Sequence, residues 1–223
     1  MQIEHQMRDV AELRERDRLR AALLSSVSHD LRTPLTRLKL EAALADPSPR
    51  IEAMKRDFSE MEHMIEEYLA FARGEGGEAV ETIGVSALLQ DVGDGAARAG
   101  ARVRVTANAD LAAAVRPMAL KRALANLVMN AAAYAGQIQI EAQRDSRGGL
   151  NIRVDDDGPG IAPERYEEAF RPFSRLDEAR NQNVKGVGLG LAIARDVARG
   201  HGGDVTLDRS PLGGLRAVMH LPG

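Results

Sequence analysis

Two apolar stripes, each stepping alternately by four and three residues, govern what the first third of this chain can become. Leu24, Ser28, Leu31, Leu35, Leu38, Ala42 and Ala45 form one, and Ile51, Met54, Phe58, Met61, Ile65, Tyr68 and Ala72 form the other. A seam of that period runs along one side of a helix and has to be covered by other helices. Asp46-Pro47-Ser48-Pro49 separates the stripes with a short stretch that cannot continue a helix, so an antiparallel hairpin is expected. One hairpin holds too little core to stand alone, whereas two make a four-helix bundle. The expectation is a homodimer.

Beyond residue 73 the pattern changes. Gly74-Glu75-Gly76-Gly77-Glu78 is polar and glycine-rich, so the chain divides into a helical part over residues 1–73, a linker over 74–79 and a second part over 80–223. In that second part strands are expected at Arg102–Thr106, Ile138–Ala142, Leu150–Asp155, Asp204–Asp208 and Leu215–Leu221. Helices are expected at Ser86–Arg98, Pro117–Ala133 and Leu189–Arg199, the last closed by Gly200 as its cap. Strands and helices without strict alternation favour a mixed sheet with helices on one face.

Composition removes several classes of function. A net charge of −3 gives no reason to expect nucleic acid, and 3% aromatic residues without Trp provide no stacking platform for single strands. The absence of Cys excludes disulfides and thiolate metal sites and suits a reducing compartment. No apolar run approaches the roughly 20 residues of a membrane helix. The chain is therefore read as cytoplasmic without a membrane segment of its own.

Chemistry is concentrated in four places. In Ser28-His29-Asp30-Leu31-Arg32-Thr33-Pro34-Leu35, register puts His29 one step off the buried stripe and facing solvent, with Thr33 one turn on along nearly the same side. A neutral imidazole attacks phosphorus through one nitrogen while a partner holds the proton on the other; Asp30 is placed to hold it. Thr33 is placed to position a water for the hydrolytic direction. Asn126 and Asn130 stand four apart on one helix, and their amide oxygens are hard ligands of the kind Mg²⁺ takes alongside water and phosphates. Asp156, at the end of an apolar strand, accepts only and so can take the exocyclic N–H of adenine, with Gly158 and Gly160 allowing close backbone approach. Gly186, Gly188 and Gly190 open a helix, where free N–H groups can receive phosphates. The spacing is neither a Walker A loop nor the dinucleotide fingerprint. A calcium loop at Asp156 fails as well, because Pro159 and Tyr166 occupy ligand positions.

Taken in this order, the runs resemble those of the sensor histidine kinases of two-component systems over essentially the whole chain. Ser28–Leu35 is similar to the family's H box, Asn126–Ala131 to its N box, and Asp156–Ile161 to its first glycine box. Phe170-Arg171-Pro172-Phe173 resembles the F box, and Gly186–Ile193 the second glycine box. Thr36-Arg37-Leu38-Lys39-Leu40 looks most like the osmosensor-type branch. The resemblance implies a dimerisation and phosphotransfer hairpin over 1–73 followed by a Bergerat-type α/β sandwich that binds ATP over 80–223. It implies transfer of the γ-phosphoryl group to His29 and onward to an Asp of a response regulator, with Thr33 serving dephosphorylation of that regulator. It assigns ATP to Asn126, Asn130, Tyr134, Asp156, Gly158, Gly160, Ile161, Lys185, Gly186, Val187, Gly188, Leu189, Gly190 and Leu191, and Mg²⁺ to Asn130 and Asn126. One position departs from the pattern. Ala133 stands where a basic residue is usual, which leaves phosphate neutralisation to Mg²⁺, helix N–H groups, or Lys185, Arg175 or Arg180. That departure keeps a phosphatase-dominant relative, or a non-catalytic dimer switched by ATP, as the alternative reading.

Overall fold

A computed structural model describes residues 33–46, 48–72, 78–174 and 188–223. The chain divides into two compact units at Gly76 and Gly77. In the first, helix α1 is described over residues 33–44 and α2 spans Pro49–Ala72. Pro49 opens α2 at a position where a missing N–H costs nothing, and the Ser48 hydroxyl accepts the Ile51 N–H at 3.2 Å. Leu35 and Ala42 are buried, and Lys39 reaches across to Glu62 of α2. Leu38, Leu40, Leu44, Met54 and Met61 remain exposed on the single chain.

The second unit is built on a five-stranded sheet in the order β2-β4-β5-β7-β6, where β2 is Arg102–Ala107, β4 Gln137–Arg144, β5 Leu150–Asp156, β6 Asp204–Arg209 and β7 Leu215–Leu221. β2 and β4 pair in parallel and the other pairs are antiparallel, giving the expected mixed sheet. The parallel pair needs a crossover, which α4 (Pro117–Tyr134) provides. Alternation sorts the faces of β5. Leu150, Ile152 and Val154 are buried, while Asn151 and Arg153 are half-exposed. Helices α3 (Val85–Arg98), α4 and α6 (Gly190–Gly200) supply Leu89, Leu120, Leu124, Leu127 and Ile193 to the same core. The other face is polar, and Arg216 holds Asp155 through two hydrogen bonds of 2.8 and 3.0 Å across the strands.

Three features depart from the expectations. Two short strands, β1 (Glu81–Gly84) and β3 (Ala112–Val115), pair antiparallel in a separate small sheet. The segment after the Asp-Gly turn forms a single 3₁₀ turn at Pro163–Arg165 followed by α5 (Tyr166–Ala169). Finally, α6 does not stop before Gly200 but runs through it. The left-handed residue is Gly202 at φ +80°, and its N–H reaches Arg199 O while the Gly203 N–H reaches Ala198 O, both at 2.9 Å. That pair of bonds is a Schellman motif, so the cap falls where it forms and not at the first glycine encountered.

Candidate functional site

The first half of the expected machinery lies outside the described residues: His29 and Asp30 on one side, and Lys185, Gly186 and Val187 on the other. Arg175 and Arg180 fall outside them too. Thr33 stands exposed at the beginning of the described part of α1.

Helix α4 organises what remains. Asn126, Asn130 and Tyr134 recur every fourth residue and form a stripe about 12 Å long at 1.5 Å per residue. Both Asn side chains are half-buried, whereas Ala133 and Tyr134 are exposed. At one end of the stripe, Gly190 at the start of α6 lies so close to Asn126 that an added Cβ would sit 3.6 Å from its Cβ and Oδ1. At the other end, Gly158 packs against the Tyr134 backbone, where a Cβ would stand 3.1 Å from the carbonyl oxygen. The Asn pair, the α6 N-terminus and the Asp-Gly turn, far apart in sequence, thus adjoin a single helix.

Asp156 ends β5 almost fully buried. Its Oδ1 accepts the Gly158 N–H at 2.8 Å and the Leu215 N–H at 3.0 Å. Burial pushes its carboxyl above the usual range, those two bonds pull the other way, and the neighbouring Asp157 and Asp155 charges add to the rise. Asp157 has a structural duty, taking the Gly136 and Gln137 N–H groups at 2.9 and 2.8 Å and so tying the end of α4 to β4. Gly160 adopts a left-handed φ of +68°, and Ile161 beside it is half-buried.

The second glycine run is pinned at its near end. The Phe173 N–H donates to Gly188 O at 3.0 Å, so residues 173 and 188 are drawn together. Gly188 sits at φ +74°, and any Cβ there would lie 2.6 Å from Ser174 O. Only glycine fits. Leu189 and Leu191 are buried, so their side chains belong to the core. Phe170 is buried beneath Arg195, whose guanidinium lies 4.2 Å from the ring centroid. Arg195 also binds Glu167 of α5 at 2.8 Å and Asp204 of β6 at 2.8 Å. Phe173, by contrast, is exposed at φ +65°.

For a divalent cation, Asn126 and Asn130 offer two neutral hard oxygens, and no cluster of three or more His, Cys, Asp or Glu gathers among the described residues. Such a donor set suits Mg²⁺ arriving with a polyphosphate, because Mg²⁺ retains water and takes its remaining oxygens from phosphates. No helix among the described residues is long and apolar enough to cross a membrane.

Two residues that tie this unit together had no signal in the sequence. His201 accepts the Arg116 N–H through Nε2 at 2.9 Å while its Nδ1 lies 2.8 Å from Val197 O, which sets the tautomer with the proton on Nδ1. Glu78 accepts the Met118 and Ala119 N–H groups at 2.6 and 3.0 Å. Neither belongs to a local motif. Lys39 is half-buried and paired with Glu62.

Comparison with known proteins bears on the whole arrangement. The family described as His Kinase A (phospho-acceptor) domain matches residues 19–77, and that described as histidine kinase-, DNA gyrase B- and HSP90-like ATPase matches residues 115–223. The sensor histidine kinase CpxA of Escherichia coli strain K12 is 40% identical over 212 residues, covering 90% of this chain and 46% of that protein. The sensor histidine kinase GtrS of Pseudomonas aeruginosa is 38% identical over 204 residues, covering 91% of this chain and 42% of that protein. The chain spans less than half the length of these relatives. Among solved structures, full-length ShkA in complex with AMPPNP shares the fold with a TM-score of 0.75 at 22% identity, covering 90% of this chain and 45% of that one. The ATP-binding domain of PrrB from Mycobacterium tuberculosis matches with a TM-score of 0.55 at 29% identity, covering 65% of this chain and 97% of that domain.

Proposed function

This chain belongs to the sensor histidine kinases, and from that premise we propose that it phosphorylates its own His29 from ATP and passes the phosphoryl group to an Asp on the receiver domain of a response regulator. The observation that carries the reading is the contact of Gly190 with Asn126. It brings the N-terminus of α6, with its free N–H groups, against the helix bearing both amide ligands, which is where a polyphosphate and its cation can be held together.

In this reading Asp156 receives the adenine amino group. Its Oδ1 is already committed to two backbone donors, which orient the carboxylate and leave Oδ2 for the base. Asn126 and Asn130 would hold Mg²⁺, which when bound would supply neutralisation of the phosphate charge. A nitrogen of His29 forms a bond to the γ-phosphorus as the bond from that phosphorus to the bridging oxygen breaks, and ADP leaves. Asp30 keeps the imidazole proton on the far nitrogen during attack. Transfer to the regulator exchanges the N–P bond for an acyl phosphate, and Thr33 orients the water that later hydrolyses it. The hairpin works as a homodimer, on the cytoplasmic side of any sensing part.

Incubation with γ-labelled ATP and Mg²⁺ tests the reading directly. The expected product is an acid-labile, alkali-stable phosphoryl adduct that His29→Ala abolishes and Asn130→Ala abolishes through loss of the metal. Thr33→Ala slows loss of label from a phosphorylated receiver domain while the adduct on His29 still forms. Label persisting in His29→Ala overturns the site of transfer, and loss of the adduct in Thr33→Ala overturns the division of roles.

A further inference from the structure

Helix α4 carries the Asn pair, so whatever fixes its N-terminus fixes the reaction site to the rest of the chain. The first turn of a helix leaves its leading N–H groups without intrahelical partners, and each needs an acceptor from elsewhere. Here the account closes. The Arg116 N–H goes to His201 Nε2 at 2.9 Å, and Pro117 has no N–H. The Met118 and Ala119 N–H groups go to the two carboxylate oxygens of Glu78 at 2.6 and 3.0 Å. The Leu120 N–H closes the first helical bond on Arg116 O at 2.9 Å. The Arg116 guanidinium also donates to Gly200 O at 3.1 Å, binding this corner to the end of α6.

Glu78 lies near the beginning of the second unit, three residues before the first strand, and 39 or more residues from the helix it caps. It is no N-cap of the local kind. A charged acceptor against the positive end of a helix, engaging two donors at once, is a strong attachment for a segment that has no strand or helix of its own. Resting on the kinase reading above, we infer that Glu78 is a positioning residue for phosphoryl transfer: it staples the incoming chain to the N-terminus of α4, so the catalytic unit hangs from the helix that holds the nucleotide and not from β1. Without the staple the nearest fixed point is Glu81, and the connection between the units gains three residues, or about 10 Å of extended reach. A longer tether lowers the effective concentration of the bound nucleotide at its target without altering the nucleotide site.

The test uses the full chain and three measurements. In Glu78→Ala, hydrogen exchange at the Met118 and Ala119 amides accelerates. The KM for ATP and the affinity for a non-hydrolysable ATP analogue equal those of wild type. The rate of His29 labelling at saturating ATP falls about twofold, as the −3/2 power of a connection lengthened by three residues requires. Glu78→Gln, with one acceptor oxygen in place of two, gives an intermediate rate. A labelling rate that falls together with nucleotide affinity overturns the proposal, because Glu78 would then merely support the shape of α4. Faster amide exchange with an unchanged labelling rate overturns it as well, as does unchanged exchange. Wild-type protein that takes no label from ATP overturns the kinase reading and the positioning role with it, while the exchange data separately report whether the staple exists.

Discussion

The hairpin and the α/β unit obey the same rule, that an apolar stripe must be covered, and they satisfy it differently. In the α/β unit Leu89, Leu120, Leu124, Ile138, Ile140 and Ile152 are completely buried by elements of the same unit. In the hairpin only Leu35 and Ala42 are buried among the described side chains, while Leu38, Met54 and Met61 of the stripes are 40%, 37% and 44% exposed. One unit closes its own core, whereas two packed helices leave a seam outward that a second copy can cover. The contrast assigns self-sufficient stability to the α/β unit, and in the proposed homodimer the hairpin gains the cover it lacks alone.

A matched pair of substitutions tests the contrast most severely. Ile152→Ala removes a side chain with no exposure from the middle of β5 and should cost about 2–5 kcal/mol, read as a lower melting temperature of the α/β transition. Leu38→Ala should leave that transition unchanged and appear instead as weaker dimerisation in sedimentation. Equal losses from the two changes in the α/β transition would break the comparison. A smaller effect is expected at Gly188. Gly188→Ala forces a Cβ to within 2.6 Å of Ser174 O at φ +74° and should lower nucleotide affinity at least tenfold, a loss of about 1.4 kcal/mol. Its α/β melting transition should shift less than that of Ile152→Ala. Unchanged affinity for an ATP analogue would show that the close approach of Ser174 and Gly188 is irrelevant to binding.

The smallest expected effect is a pH dependence confined to the α/β unit. Burial alone would raise the Asp204 carboxyl, but hydrogen bonds from Arg195, Arg199 and the Val205 N–H outweigh it and hold the group at about 2. Because the folded value lies below the unfolded one, the stabilisation is complete above about pH 4 and disappears as pH falls from there through about 2. Half-exposure reduces its worth to about 1 kcal/mol. Denaturant titrations of wild type and Asp204→Asn at pH 7 and pH 3 should therefore differ more at pH 7. An equal difference at both would remove Asp204 from the account.

The sequence made most elements legible because their signals are local. Alternation in Leu150-Asn151-Ile152-Arg153-Val154 announces a strand sided toward a core, and the seam residues announce the hairpin. The two missed strands show the limit. Ala112-Ala113-Ala114-Val115 has the composition of a helix, and it is extended because Glu81–Gly84, some thirty residues away, pairs with it. The glycine at position 200 advertised a helix stop, yet the stop depends on which residue can adopt a left-handed φ while two backbone bonds close behind it. Around the candidate site, residue types were readable one run at a time, but their meeting along α4 was not.

What the amino-acid order determined on its own was chemistry and periodicity: an imidazole beside a carboxylate, two amides one turn apart, glycines at a helix entrance, and stripes that require a partner. Each is written within a few residues, so covalent spacing and helical pitch suffice to read it. The tertiary structure alone decided that Gly190 rests on Asn126, that His201 locks α4 to α6, and that Glu78 closes the first turn of the helix bearing the amides. Those contacts join residues tens of positions apart, and their existence depends on how the sheet and helices pack, a property that no local run of residues encodes.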